Sequence, residues 1–228
     1  MKYENIKEGI FIERPNRFIA RILIDGVEER VHVKNTGRCR ELLVEGARVF
    51  LEKSKNPERK TKYSLIAVYK GDMLVNMDSQ IPNAVAFEAL EQGKIPEIGL
   101  PDMVKREKTF GNSRFDLYYE KNGEKGFIEV KGVTLEENGT ASFPDAPTER
   151  GRKHLNELIN AKKEGYAVWV LFVVQMKGIK LFTPNKSHDP EFAKLLKKAQ
   201  RSGVGILVYD CKVEPGGISL DEKIPYKI

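Results

Sequence analysis

Arg114-Phe115-Asp116-Leu117-Tyr118-Tyr119-Glu120-Lys121-Asn122-Gly123-Glu124-Lys125-Gly126-Phe127-Ile128-Glu129-Val130-Lys131-Gly132 is the stretch from which the rest of the chain can be read. Asn-Gly between two runs rich in aromatic and β-branched residues is the strongest short-range signal for a two-residue hairpin turn, and such a turn fixes strand register. With Asn122 and Gly123 at the turn, Lys121 faces Glu124. Counting outward sets Leu117 opposite Ile128 and Asp116 opposite Glu129. The two carboxylates are then expected on one face, with Cβ atoms about 4.5–5.5 Å apart. Lys131, two residues beyond Glu129, points to the same face because side chains alternate along a strand. Like charges so placed repel unless something positive lies between them, and a divalent cation would complete the arrangement. Phe127, Ile128, Val130 and Val133 make the second strand apolar on both faces, as in a covered sheet. Carboxylates there cost free energy unless they are paired or bound to metal.

The chain has 228 residues, room for one large or two small domains with a hydrophobic core. Its longest apolar run, Tyr166 to Val174, falls far short of the ~20 residues a membrane helix needs and reads as a buried strand. No membrane association is expected. The N-terminal residues lack an apolar signal core, and Cys39 and Cys211 have no metal-ligand spacing, so a reducing cytoplasm is the expected compartment. The 39 Lys and Arg exceed the 33 Asp and Glu, giving a formal charge of +6 that suits a polyanionic partner without requiring one.

Residues 1–80 carry short β-rich segments at Ile10–Glu13, Phe18–Ile24, Glu29–Val33, Ala47–Glu52, Ser64–Tyr69 and Met73–Asn76. The breakers between them include Arg14-Pro15-Asn16, Asp25-Gly26, Asn35-Thr36-Gly37, Asn56-Pro57 and Gly71-Asp72. Regular short strands of this kind predict a small barrel. Beyond Pro82 the pattern changes. Ala84 to Gly93 reads as a helix closed by glycine, followed by the hairpin, a helix over Thr148–Lys163, a strand over Tyr166–Gln175, a helix over Asp189–Arg201 and a strand over Val204–Val213. That alternation predicts partly parallel pairing in a sheet covered on both sides. The division is placed near residue 80, into a barrel (1–80) and an α/β domain (81–228). Without a Gly/Ser-rich linker, the two should pack together.

A helix with Glu88, a strand with Asp116, a strand with Glu129-x-Lys131 and then a basic helix resembles the core of nucleases with the PD-(D/E)XK motif, although Phe115 stands where the literal motif has proline. The resemblance implies that Asp116 and Glu129 hold Mg²⁺ or Mn²⁺, hard cations that prefer carboxylate and water oxygens. Lys131 would orient the attacking water, and Glu88 would complete the shell.

Longer segments resemble the sugar fermentation stimulation protein A family. These are Arg14-Pro15-Asn16-Arg17-Phe18, Asn35-Thr36-Gly37-Arg38-Cys39-Arg40-Glu41-Leu42, Val75 to Gln80, Ser113 to Asp116, Ile128 to Leu135 and Phe143 to Gly151. The resemblance implies an N-terminal OB-like β-barrel, a C-terminal mixed-sheet nuclease-like α/β domain and DNA as partner. Arg14, Arg17, Arg38 and Arg40 at the barrel loops are then expected phosphate contacts, with Phe18 either a stacking surface or, more in keeping with its size, a core residue. On the helix after the Glu-x-Lys strand, Arg150, Lys153 and His154 are expected to face nucleic acid. A DNA-binding protein with a metal-dependent phosphodiester-hydrolysing site is the leading reading. A non-catalytic DNA-binding regulator of sugar (maltose) metabolism genes and a structural partner in a nucleic-acid complex remain open, and a homodimer is compatible with either. Cys39 reads as a packing residue.

Overall fold

The structure, a computed structural model, describes residues 1–35 and 37–228. Thr36, the middle residue of the expected Asn35-Thr36-Gly37 turn, lies outside the described residues. Six strands form the N-terminal part: β1 (Ile6–Asn16), β2 (Ile19–Ile24), β3 (Val27–Val33), β4 (Arg48–Lys53), β5 (Tyr63–Lys70) and β6 (Met73–Asn76). The first three make an antiparallel meander, with β4 beside β1 and β5 beside β4. The sheet closes on itself where β3 meets β5 in parallel through His32↔Ser64 and Val33↔Leu65. The circular order β1-β2-β3-β5-β4 is that of an OB barrel, as expected. Asp25 and Gly26, both at positive φ, form the tight turn that joins β2 to β3. The expected break at Arg14-Pro15-Asn16 is instead the irregular end of β1, whose pairing with β2 slips between Phe11 and Glu13 and again before Asn16. A bulged strand end tolerates Pro15, which has no ladder donor.

The C-terminal part is a six-stranded mixed sheet in the order β15-β14-β12-β9-β8-β7. Its strands are β7 (Met103–Phe110), β8 (Ser113–Lys121), β9 (Glu124–Val133), β12 (Ala167–Val174), β14 (Gly205–Glu214) and β15 (Gly217–Lys223). The central strands β9, β12 and β14 run parallel, joined by α2 (Glu149–Lys163) and α3 (Pro190–Arg201) on one face. The other face is covered by α1 (Ile81–Glu91), whose Val85, Ala89 and Leu90 pack with Leu117, Ile128, Val130 and Leu171. A small sheet of β10 (Leu135–Glu137), β11 (Thr140–Phe143) and β13 (Leu181–Pro184) lies on the α2/α3 side, where Phe143 and Phe182 pack on Phe172 and Phe143 also meets Phe192 of α3. Thr148 caps α2 by accepting from Gly151 N. The buried Asp189 caps α3 through Phe192 N and also accepts from Thr148 N and Arg152, tying the starts of the two helices together.

The parts pack as expected. One hydrophobic cluster runs from Ile22 and Val31 of the barrel to Phe127, Leu155 and Phe172. Across the junction, the Gln175 side chain donates to the carbonyls of Asn76 and Asp78, and Lys70 reaches Glu136. No helix of the structure is long and apolar enough to cross a membrane.

Candidate active site

Asn122 and Gly123 both have positive φ, and the β8/β9 ladder runs from Lys121↔Glu124 to Leu117↔Ile128 in the register read from the turn. The ladder ends there, one step short of Asp116 and Glu129. These two are therefore not themselves a ladder pair. Asp116 instead reaches toward α1, where its Oδ1 accepts from Asn83 Nδ2 at 2.8 Å, while its Oδ2 accepts from Val130 N at 2.8 Å. A side-chain carboxylate thus receives the N–H of the neighbouring strand where the two strands part.

Glu129 is 2% exposed and turns toward α2. Its Oε1 accepts from Lys131 Nζ at 2.6 Å and pairs with His154 Nδ1, while its Oε2 is buried with no partner. The charges of the two carboxylates still act on each other. Burial, then the Glu129 charge, pushes the Asp116 pKa up, against the opposing hydrogen bonds and the Lys131 charge. Burial also penalises the Glu129 carboxylate, but the His154 and Lys131 contacts outweigh it and hold its pKa below the usual range. The centre is thus a lysine and a histidine on one oxygen of a buried glutamate, a second carboxylate beside it, and one open oxygen.

Two expected members lie elsewhere. Glu88 is not in the cluster, because its Oε2 meets the N-terminal ammonium of Met1 at 2.5 Å. The residue of α1 that does reach the site is Asn83, one turn and a half earlier, which the sequence reading passed over. His154 does not face outward: it is 5% exposed, behind Glu129 and edge-on to Phe115. Its neighbours on α2 keep the expected outward orientation. Arg150 is exposed, and Lys153 donates to the Asn112 carbonyl.

Among the barrel arginines, Arg14 is not the phosphate contact expected of it. Its guanidinium donates to the carbonyls of Arg17, Asn35, Gly37 and Arg38 at 2.6–2.9 Å, so it holds loops together and has no hydrogen left for a phosphate at either terminal nitrogen pair without breaking them. Arg17, Arg38 and Arg40 are exposed on those loops. Phe18 is not a core residue: it is 55% exposed. The Cys39 thiol is buried and its pKa pushed up to about 12, chiefly by that burial, as suits a packing residue.

The family described as "SfsA N-terminal OB domain" matches residues 12–77, and "Sugar fermentation stimulation protein RE domain" matches residues 80–217. The chain belongs to the sugar fermentation stimulation protein family. Homologues of that name from Alkaliphilus oremlandii and Ruminiclostridium cellulolyticum are 57% and 53% identical, with 98% and 100% of this chain and 97% and 100% of theirs covered. A solved structure of Pyrococcus furiosus SfsA in complex with Ca²⁺ superposes with a TM-score of 0.89 at 28% identity, covering 100% of this chain and 98% of that one.

In this SfsA-family chain no group of three or more His, Cys, Asp and Glu side chains converges for a metal among the described residues. Mg²⁺ keeps several waters and is usually held by one or two carboxylates plus phosphate oxygens. The unpartnered Glu129 Oε2 beside Asp116 is the observation that fits such an ion.

Proposed function

We propose that this protein is a DNA-binding, Mg²⁺-dependent phosphodiesterase whose site is Asp116, Glu129 and Lys131. The observation that carries the reading is the buried, unpartnered Glu129 Oε2 within electrostatic reach of a second carboxylate and a lysine. Lys131 and His154 already offset the burial of this carboxylate at Oε1, and a cation at the open Oε2 would add to that compensation. Asp116 and Glu129 would hold the ion, which when bound lowers the pKa of a coordinated water and neutralises charge on the phosphate under attack. Asn83 and the Val130 amide fix the Asp116 carboxylate, and His154 fixes that of Glu129. Lys131, only 14% exposed, offers its ammonium to the phosphate oxygens. The Pyrococcus furiosus relative was solved with Ca²⁺, a cation of the same oxygen preference. Arg17, Arg38 and Arg40 from the barrel and Arg150 and Lys153 from α2 supply cations for the DNA backbone.

One observation favours a second reading, a non-catalytic DNA-binding protein. His154 and Lys131 both already sit on Glu129 Oε1, an arrangement that can persist as a structural ion cluster. Incubating the protein with linear, circular and single-stranded DNA in Mg²⁺, Mn²⁺ or EDTA separates the two. The nuclease reading expects metal-dependent cleavage that Lys131→Ala reduces by at least about 100-fold, the scale of losing one electrostatic stabiliser. Binding without cleavage under every condition leaves the second reading.

A further inference from the structure

A cleft of about 580 Å³ lies between the two domains, lined on the barrel side by Arg17 and Arg38 and on the other by Gly132, Phe143, Asp145 and His188. We propose that this cleft takes a single strand of DNA and leads it to the site, so that the substrate is single-stranded DNA or the unpaired strand of a junction. The proposal deepens the nuclease reading and rests on it for the identity of the ligand.

Four observations carry it. The volume lies within the ~300–1,000 Å³ of pockets that take one small-molecule-sized ligand, which here means one or two nucleotides. Arg17 and Arg38 are exposed, and among the described residues the arginines engaged in ion pairs are Arg21, Arg48, Arg114 and Arg152. Arg14 holds the carbonyls of Arg17, Asn35, Gly37 and Arg38, so both free guanidinium groups spring from a backbone arranged in advance. Finally, the far wall includes Gly132 on β9, the residue that follows Lys131 in sequence, while Asp116, Glu129 and Lys131 themselves are not among the lining residues.

Single-strand sites combine cations that follow the backbone with aromatic faces on which bases stack. The exposed His188 supplies such a face within the cleft, beside the half-buried Phe143 that packs on Phe172 and Phe192, and Phe18, adjacent to Arg17, supplies one outside it. Asp145 stands against Gly37 and repels phosphate from that corner, leaving it to the edge of a base.

Fluorescence anisotropy in EDTA with the full chain tests the cleft apart from the chemistry. A 12-nucleotide single strand is expected to bind at least 10-fold more tightly than the blunt duplex of the same sequence. Arg17→Ala/Arg38→Ala should weaken the single strand at least 10-fold and lower the log–log salt slope by roughly 0.7 per lost contact. Lys197→Ala/Lys198→Ala on α3 removes the same charge outside the cleft and should change affinity less than twofold. Unchanged thermal unfolding of both variants would establish that they are folded. Equal affinity for duplex and single strand, or an equal loss in the two double variants, would overturn the proposal. Cleavage by the wild-type protein in Mg²⁺ is scored separately, so a failed nuclease reading is distinguishable from a failed cleft.

Discussion

At the scale of single residues, the centre depends on the environment of Asp116. Its native pKa is raised by burial and by Glu129, so the folded state holds the Asp116 proton more tightly than the unfolded chain does. Ionisation of Asp116 therefore opposes folding above that raised value, and the cost disappears as pH falls toward the ordinary value of 3.8. Glu129 has the opposite sign, since its depressed pKa contributes stability that is lost as pH falls below its ordinary 4.5. Asp116→Asn should remove the first dependence and leave the second. Metal-free unfolding curves between pH 3 and 7 should show the variant more stable than the wild type at neutral pH, with the difference closing as the medium acidifies. A difference that instead grows toward low pH would contradict the assignment. The replacement is sterically mild: the oxygen of the substituted amide can still accept from Val130 N, and Asn83 needs only to rotate its own amide to present an acceptor to the new NH₂.

At the scale of elements, what could be read in the sequence was what neighbouring residues decide among themselves. Asn122-Gly123 dictates a turn by its own backbone preferences, and Thr148 and Asp189 announce helix starts by capping chemistry, so the hairpin, α2 and α3 lie where the pattern put them. The strand β7 was missed because Lys105, Arg106, Glu107 and Lys108 crowd its middle; it is an edge strand with no buried face and so carries no alternation. The turn-defined ladder stops one step before Asp116 and Glu129, and there Asp116 takes hydrogen bonds from Asn83 of α1 and from the Val130 amide, which the turn alone does not specify. Asn83 and the burial of His154 depend on how α1 and α2 dock, which no local pattern encodes. Arg14 shows the same distinction between charge and role. A guanidinium holding four carbonyls is an organiser of the β1–β2 turn and the loop after β3, whereas Arg17 is free. Arg14→Ala should therefore cost about 2–3 kcal/mol in urea unfolding, the scale of leaving partly buried carbonyls unpaired and losing charged hydrogen bonds. Arg17→Ala should stay within about 0.5 kcal/mol, as an unencumbered surface substitution does. Equal costs would remove the organising role.

At the scale of the whole molecule, a closed OB barrel and a mixed-sheet domain share one hydrophobic cluster and a polar seam through Gln175, so the barrel loops are held over the end of β9. That placement sets the loops of Arg17 and Arg38 across a cleft from Gly132 to Leu135, the stretch that follows Lys131. Its value for function rests on a single claim, that Asp116 and Glu129 bind one cation together. A ligand that binds the folded state alone stabilises it by RT ln(1 + [L]/Kd), about 2.7 kcal/mol at a hundredfold excess over Kd. The most direct measurement is the thermal unfolding of wild type, Asp116→Asn and Glu129→Gln across a Mg²⁺ and Mn²⁺ titration at fixed ionic strength. The wild type should rise by several degrees and saturate, and both variants should lose most of that rise. An equal rise in all three proteins, or none in any, would contradict the shared site.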